Sequence, residues 1–161
     1  LGLSRYYGEA FFKAQEATKT ELPLGGTVLI SVSDKDKEEM IEVAKDLAST
    51  GFKILATKGT QKALADAGVV SEFVYKLNEG RPNILDLITN GKIDLIINTP
   101  IGADSASDDS YLRKGAIKKK IPYITTIAAA KATASGMISM GKPGCGDVKS
   151  LQEWHSEIKD K

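Results

Sequence analysis

The sequence predicts an α/β fold in which a parallel sheet lies between two layers of helices. Five strand-like runs alternate with segments long enough to hold helices, and this alternation is typical of a parallel sheet covered on both faces. The runs cover residues 27–32, 52–56, 72–75, 93–97 and 122–125. The 161 residues are 42% hydrophobic and 27% charged, which suits one ordinary globular core that folds without disulfides or metals. We therefore expect a three-layer α/β/α domain with five strands.

The segments between the strand-like runs carry helix signals at their ends. The clearest helix opens with Asp36 three residues before Glu39, a capping pair, and stops at Gly51. Its apolar positions at helical spacing are Met40, Val43, Ala44, Leu47 and Ala48. We expect further helices over 60–67, 83–90, 108–119, 128–138 and 150–158. The last of these begins with Ser150 as a cap and Glu153 three residues on.

Charge and hydropathy exclude several classes of partner. Basic and acidic residues number 22 and 21, which leaves a formal charge of +1, so no global field draws the protein to nucleic acid or to an anionic membrane. The densest basic run, 118–120, falls at a predicted helix end, where cations complement the helix dipole. No apolar run approaches the roughly 20 residues that cross a bilayer. We predict no nucleic acid and no membrane as partners, and any anion site must be local.

The two ends of the chain and its single cysteine add expectations about organisation. Cys145 is the lone cysteine, which excludes an intrachain disulfide and fits a reducing compartment, so we expect a cytoplasmic protein. The chain starts with Leu1 and shows no signal peptide, which favours a fragment or a processed chain. Residues 4–17 read as an amphipathic helix followed by a polar stretch and Pro23. We place a boundary between two units near residues 18–24.

Polar and cationic residues follow the strand-like runs, where open parallel sheets bind their ligands. In Thr57-Lys58-Gly59-Thr60, Gly59 permits a tight turn, the two hydroxyls can donate, and the next helix offers free backbone N–H groups. The other strand ends add Ser31, Lys37, Lys76, Asn98 and Thr99. Each signal alone also fits a helix cap or a solvated lysine. Their convergence predicts a site for a phosphorylated small molecule, with its phosphate at residues 57–60 beside Lys37.

Catalytic and metal-binding patterns are weaker than the anion-binding one. The only histidine, His155, lies in the last predicted helix, far along the chain from every strand end. The carboxylates that follow strands are Glu79, Asp104, Asp108 and Asp109, and each is expected to be a cap or a solvated loop charge. The sequence has no metal-ligand spacing and no P-loop. We predict no catalytic residue and no metal ligand.

Four motifs occur in order along the chain. They are Leu29-Ile-Ser-Val-Ser33 with Lys37, Ala56-Thr-Lys-Gly-Thr60, Lys76-Leu-Asn-Glu-Gly-Arg-Pro82 and Ile96-Ile-Asn-Thr99. The set resembles the methylglyoxal synthase-like family and, within it, the C-terminal allosteric domains of carbamoyl-phosphate synthase large subunits. The resemblance implies strand order 3-2-1-4-5, an allosteric domain over 24–161, and a linker helix over 1–20 from a preceding synthetase domain. Without that domain, residues 1–20 should pack loosely or against another copy of the chain, and their exposed apolar residues should include Leu3, Phe11 or Phe12.

The resemblance also implies a ligand and partners. Bacterial domains of this kind bind UMP as an inhibitor, and in some cases IMP, through contacts that fall here on Ser31, Lys37, Thr57, Thr60, Lys76 and Asn98. A second effector, ornithine, is suggested only by Thr125 and Thr126, which equally fit the cap of the following helix.

The intact enzyme implied by the resemblance is an ATP-dependent ligase that makes carbamoyl phosphate for pyrimidine and arginine biosynthesis. Its sites for ATP, Mg and possibly K would lie in synthetase domains outside this chain, so we expect no cofactor in the domain itself. The remainder of the large subunit and, through the intact enzyme, a small glutaminase subunit would be its partners. Self-association is left open.

Several positions depart from the enzymes of this fold. Arg81 stands where methylglyoxal synthases carry their catalytic aspartate, and their histidine would fall near Ser105. An arginine stays protonated and cannot act as a base. Residues 31–35 and 64–68 also resemble the opening segment of IMP cyclohydrolase, but this chain lacks the Lys-Thr-Leu-His-Pro stretch that follows in that enzyme. Pro100 and Ala103 replace a Thr and an Arg of related domains, which leaves base and ribose selectivity open. We expect a non-catalytic regulatory domain, with a small enzyme acting on a phosphorylated substrate as the alternative.

Overall fold

The sheet has five parallel strands in the order predicted. A computed structural model of the chain describes residues 1–18, 21–99, 106–142, 146 and 148–158, with the backbone alone at 106–108. The strands are β1 (Thr27–Ser31), β2 (Lys53–Ala56), β3 (Glu72–Phe73), β4 (Leu95–Asn98) and β5 (Tyr123–Ile124). They run β3-β2-β1-β4-β5 across the sheet, and each neighbouring pair is parallel. The predicted fold class is confirmed.

Helices flank the sheet in the described part of the chain. They are α1 (Tyr7–Glu16), α2 (Lys37–Ser49), α3 (Lys58–Asp66), α4 (Ile84–Thr89), α5 (Ala106–Lys119), α6 (Ile127–Met140) and α7 (Leu151–Ser156). The predicted cap of α7 is present as a reciprocal pair between Ser150 and Glu153, and α4 has the same arrangement between Asn83 and Asp86. These caps need only residues three positions apart, which is why local sequence locates them.

The predicted capping pair of α2 is wrong. Asp36 does precede the helix, but its side chain makes no capping hydrogen bond. Its carboxylate instead accepts a hydrogen bond from Ser33 Oγ at 2.6 Å, and a short 3₁₀ turn over Asp34–Asp36 leads into the helix. The other end is as expected, because Gly51 has φ +91°, a conformation that suits glycine after a helix.

Side chains of the three central strands alternate between two apolar cores. Val28 and Ile30 join their β2 and β4 neighbours in a core covered by α1, α2, α3 and α6. Leu29, Leu55 and Ile96 belong to the opposite core, which α4 and α5 cover. Because side chains repeat every second residue, the residues two positions on project from this second face at its carboxyl end. Those residues are Ser31, Thr57 and Asn98.

The first helix packs firmly against α6, so the expectation of a loosely packed N-terminal segment is wrong for α1. Phe12 is 3% exposed and belongs to the core, although Leu3 is 40% exposed. The helices approach closely because both carry glycine at the crossing. A Cβ on Gly8 would lie 2.4 Å from Ser135 Oγ, and one on Gly136 would lie 2.7 Å from the Gly8 carbonyl oxygen.

A buried carboxylate also fixes the start of α1. Glu9 is 8% exposed. It accepts hydrogen bonds from Ser4 Oγ at 2.7 Å and from the Gly146 N–H at 3.2 Å, and its Oε1 lies 2.8 Å from Lys13 Nζ. The hydrogen bonds from Lys13 and Ser4 lower the pKa of Glu9 from 4.5 to about 2, against the opposing effect of burial. The charged carboxylate therefore stabilises the fold.

We expect this carboxylate to make stability depend on pH in the acid range. A pKa that is lower in the folded state contributes stability above the unfolded-state value of 4.5, and the contribution falls as pH drops from there towards about 2. Glu9→Gln should lower the free energy of unfolding by roughly 1–3 kcal/mol near neutral pH and flatten the acid dependence. Urea unfolding across this range measures both effects, with the exposed Glu16→Gln as the matched control. Parallel pH curves for wild type and Glu9→Gln would contradict the assignment.

Candidate functional site

A row of polar side chains crosses the carboxyl edge of the sheet. Thr57, Ser31 and Asn98 lie at the ends of β2, β1 and β4 on the face covered by α4 and α5. Ser31 is level with Asn98 in the strand register, and Thr57 Oγ1 donates to Ser31 Oγ at 3.3 Å. Thr57 and Asn98 are buried, and Ser31 is partly exposed. The structure thus brings three of the predicted site residues together.

The N-terminus of α3 opens beside this row. The helix begins at Lys58, two residues earlier than expected, and Thr57 is its N-cap residue. Thr57 makes no side-chain cap hydrogen bond, since its hydroxyl is turned to Ser31. The backbone N–H groups of Lys58, Gly59 and Thr60 are first-turn groups, which find no carbonyl within a helix. Three donors and the positive end of the helix dipole therefore remain for an anion.

Lys37 reaches the first turn of α3 from the start of α2. A Cβ on Gly59 would lie 3.1 Å from Lys37 Nζ, so the ammonium rests against the backbone of Gly59. At position 59, any residue larger than glycine would place its side chain against the Lys37 ammonium. The structure therefore brings the Lys37 ammonium close to Gly59 in the first turn of α3.

An aspartate that the sequence analysis left out balances this ammonium. Asp34 Oδ1 lies 2.6 Å from Lys37 Nζ, and the Asp34 side chain is 90% exposed. The hydrogen bond and charge of Lys37, and then the charge of Lys76, hold the pKa of Asp34 below its usual value. Asp34 is therefore ionised at neutral pH and competes with any anion for Lys37. The signal was the three-residue spacing of Asp34 and Lys37 at a helix start.

Thr60 and Thr99 support the loop that carries Lys37. Thr60 Oγ1 accepts the Val32 N–H at 3.2 Å, and Thr99 Oγ1 accepts the Ser33 N–H at 3.0 Å. Both threonines are buried. Replacing Thr60 would leave a buried N–H without its acceptor, which costs stability as well as any ligand contact.

The remaining predicted residues lie at the periphery or have local roles. Lys58 and Lys76 are exposed, and Lys76 influences the site through its charge near Asp34. Thr126 is the N-cap of α6 and accepts a hydrogen bond from the Ala129 N–H at 3.2 Å. It therefore has the capping role that was the alternative to a second effector site. Thr125 is partly buried beside it.

Asp109 belongs to a partly buried hydrogen-bond network, so its expected role as a cap or solvated charge is wrong. Asp109 Oδ1 accepts from Asn98 Nδ2 at 2.7 Å and from the Tyr123 hydroxyl at 2.6 Å. Asn98 Nδ2 also donates to Tyr123 Oη at 2.7 Å. Arg113 contacts the other carboxylate oxygen at 3.4 Å and lies over the Tyr123 ring. The partners come from β4, β5 and α5, which no local pattern could join.

Burial, and then the hydrogen bond to Asp109, raise the pKa of Tyr123 well above its usual value. The phenol therefore stays protonated and acts as a donor to Asp109. The side chain of Asp109 is 15% exposed, and its charge is met by hydrogen bonds from Asn98 and Tyr123 and by Arg113. The network is thus satisfied without a ligand.

Other predicted features contribute nothing to this edge in the described residues. Glu79 accepts the Lys76 N–H at 3.2 Å within a local turn, and His155 is exposed on α7. Pro100, Ala103, Asp104, Ser105 and Cys145, and the side chain of Asp108, lie outside the described residues. Within the described ranges no group of three His, Cys, Asp or Glu is placed to hold a metal ion. In the same ranges no helix has the length and apolar character to span a bilayer.

A parallel sheet of this order, with polar and cationic groups at its carboxyl edge, has the architecture on which open α/β domains bind small ligands. The chain belongs to the MGS-like domain family, whose family model matches residues 39–125. A similar solved structure is the methylglyoxal synthase from Elizabethkingia anophelis NUHP1, with a TM-score of 0.55, 15% identity, and coverage of 87% of this chain and 96% of that one. This likeness shows the fold.

Closer relatives are carbamoyl phosphate synthase large chains. The chain is 50% identical over 156 residues to the "Carbamoyl phosphate synthase large chain, C-terminal section" of Methanopyrus kandleri, which covers 96% of this chain and 29% of the relative. It is 50% identical over 137 residues to the large chain of Acidobacterium capsulatum, covering 85% of this chain and 12% of the relative. The chain therefore spans less than a third of the length of these relatives.

Proposed function

We propose that the chain is a regulatory domain of a carbamoyl phosphate synthase large chain and binds a nucleoside monophosphate, UMP or IMP, without catalysing a reaction itself. The observation that carries the proposal is the position of Lys37 against the first turn of α3, in a chain that is 50% identical to the C-terminal section of such an enzyme. An ammonium and three helix N–H groups match the charge and the acceptor oxygens of a phosphate monoester.

The catalytic work of the whole protein belongs to sections that this chain does not contain. The intact enzyme would form carbamoyl phosphate from bicarbonate, glutamine-derived ammonia and two ATP, with ammonia from a small glutaminase subunit. ATP, Mg and K would bind in those sections. The effector site would adjust the supply of carbamoyl phosphate to pyrimidine and arginine synthesis through contacts with the remainder of the large chain, in the cytoplasm.

This domain has no carboxylate at the position of the catalytic base of methylglyoxal synthases. Arg81, at the position of the methylglyoxal synthase aspartate, has a side chain that is 83% exposed and 3.9 Å from Asp86. A guanidinium cannot abstract a proton at any accessible pH. We therefore expect no enzymatic formation of methylglyoxal from dihydroxyacetone phosphate. Turnover of this substrate at an enzymatic rate would replace the regulatory proposal by the small-enzyme alternative.

Calorimetric titration tests the proposal directly. At least one of the two nucleotides, UMP and IMP, should bind at one site per chain. Inorganic phosphate should bind more weakly and compete for the same site. Titrations at fixed ionic strength keep non-specific charge effects constant. A chain that binds neither nucleotide nor phosphate, when its unfolding curve shows it to be folded, would contradict the proposal.

We expect Asp34→Asn to strengthen phosphate binding. The substitution removes the carboxylate that competes for Lys37, so a bound anion interacts with an ammonium that has no competing negative charge beside it. The affinity for inorganic phosphate and for UMP should rise about two- to fivefold. Titration of Asp66→Asn, an exposed residue at the far end of α3, controls for the change in net charge. Equal affinities in the two variants would show that Asp34 does not face the ligand.

A further inference from the structure

Asp36, the residue directly before α2, uses its side chain for a contact other than the helix cap. Its carboxylate accepts a hydrogen bond from Ser33 Oγ at 2.6 Å, and its N–H donates to the Ser33 carbonyl oxygen at 3.0 Å. An aspartate in this place ordinarily accepts from first-turn N–H groups and stabilises the helix, but Asp36 makes no such bond. It closes the 3₁₀ turn instead. Departures from a local rule of this kind concentrate at functional sites.

The same carboxylate joins the turn to the segment that follows β4. Hydrogen bonds from Ser33 and then from the Thr99 side chain hold the pKa of Asp36 below its usual value. Thr99 Oγ1 also accepts the Ser33 N–H at 3.0 Å, and the Thr99 N–H donates to the Ser31 carbonyl oxygen at 3.1 Å. Ser33 and Thr99 are both buried. Asp36 is therefore anchored to two buried residues, one after β1 and one after β4.

The position of this turn decides what the Lys37 ammonium can reach. Lys37 Nζ lies 2.6 Å from Asp34 Oδ1 and 3.1 Å from the place that a Cβ on Gly59 would take. Asp34 belongs to the same turn as Asp36 and would move with it, whereas Gly59 belongs to α3. A turn released from its anchors would thus keep the ion pair to Asp34 and lose the approach to α3.

We propose that Asp36 is a positioning residue that anchors the start of α2 to Ser33 and Thr99 and thereby holds the Lys37 ammonium at the first turn of α3. This inference rests on the proposed function and assigns to Asp36 a role that reaches the ligand only through Lys37. A carboxylate repels a phosphate, so Asp36 itself needs no contact with the ligand. Its effect falls on the phosphate and is shared by every ligand that carries one.

Titrations of UMP and inorganic phosphate into single and double variants test this role. Asp36→Ala should weaken both ligands by the same factor, about three- to tenfold, because one charge-assisted contact is misplaced. Removal of a nearby negative charge would by itself strengthen anion binding, so a weaker affinity reports the lost position. In a Lys37→Ala background, Asp36→Ala should cause no further loss, since the side chain that it positions is gone.

Ser33→Ala is a second variant that keeps the Asp36 charge. It removes the hydroxyl that donates to Asp36 and deletes a single heavy atom, and it should weaken both ligands about two- to fivefold. Its effect and that of Asp36→Ala should combine less than additively, because both act on one anchor. Asp46→Ala, which removes an exposed carboxylate near the other end of α2, is the matched control and should bind both ligands as wild type does. Urea unfolding verifies that each variant is folded.

Three results would overturn the inference. The first is wild-type affinity in both Asp36→Ala and Ser33→Ala while Lys37→Ala weakens binding. The second is an equal loss from Asp36→Ala with and without Lys37, which would mean that the anchor only maintains the fold. The third is a loss of UMP affinity with inorganic phosphate unchanged, which would place the effect on the nucleoside. A folded wild-type chain that binds neither UMP nor phosphate overturns the proposed function itself, and this inference with it.

Discussion

Replacing Lys37 by alanine should weaken UMP binding about tenfold to hundredfold, because it removes a charge-assisted hydrogen bond of roughly 1.5–3 kcal/mol to the phosphate. The ammonium lies close to Gly59 at the start of α3, and under the proposed function the helix N–H groups and Lys37 would contact the same phosphate. The affinity for inorganic phosphate should fall by a similar factor, since the lost contact is to the phosphate itself. Calorimetric titration of both ligands at fixed salt measures the effect.

Stability should separate this effect from damage to the fold. Lys37 is the first residue of α2, where a positive charge is unfavourable to the helix dipole, and its ion pair to the exposed Asp34 is screened by solvent and adds little stability. We expect the free energy of unfolding to stay within about 0.5 kcal/mol of wild type. Lys62→Ala, which removes an exposed lysine elsewhere on α3, should leave both affinities unchanged. Wild-type affinity in Lys37→Ala would end the assignment of the phosphate site.

Replacing Gly136 by alanine should destabilise the protein by about 1–3 kcal/mol, although helix propensity alone predicts a gain of about 1 kcal/mol at this position. The added Cβ would lie 2.7 Å from the Gly8 carbonyl oxygen and 3.1 Å from Phe12 Cβ. One neighbour is backbone, so α1 must move away from α6 to admit a methyl group. The midpoint of urea unfolding should fall without a change in slope.

Gly115→Ala provides the matched control for this prediction. Gly115 also lies within a helix, α5, but its Cβ would meet side-chain ends, Ile88 Cγ2 at 3.3 Å and Leu85 Cδ1 at 3.4 Å, which can rotate. We expect a change within about 1 kcal/mol of wild type. Amide exchange should also become faster across α1 in Gly136→Ala only. A Gly136→Ala protein as stable as wild type would mean that α1 does not pack on α6 as described.

Local patterns determined the architecture and the neighbourhood of the site. The alternation of strand-like runs and helices predicted a parallel sheet. Buried apolar residues recur at a different spacing in helices and in strands, so the two kinds of segment can be recognised from the sequence. The same reasoning placed Ser31, Thr57 and Asn98 at one edge, since parallel strands end on the same side. Caps such as Ser150 with Glu153 were predictable because their hydrogen bonds join residues three positions apart.

The sequence by itself therefore determined which polar groups gather at the strand ends, and the tertiary structure decided what each of them contacts. The sequence predicted Asp109 to be a cap or a solvated charge, but in the structure it accepts hydrogen bonds from Asn98 on β4 and Tyr123 on β5. It also predicted a loosely packed N-terminal segment, but α1 packs closely on α6 where Gly8 lies beside Gly136. The Asp36 carboxylate accepts a hydrogen bond from Ser33 Oγ and does not cap the helix. The first two outcomes depend on contacts between segments separated along the chain, which a local pattern does not encode. The third depends on competition between two nearby partners for one carboxylate, which residue spacing alone does not resolve.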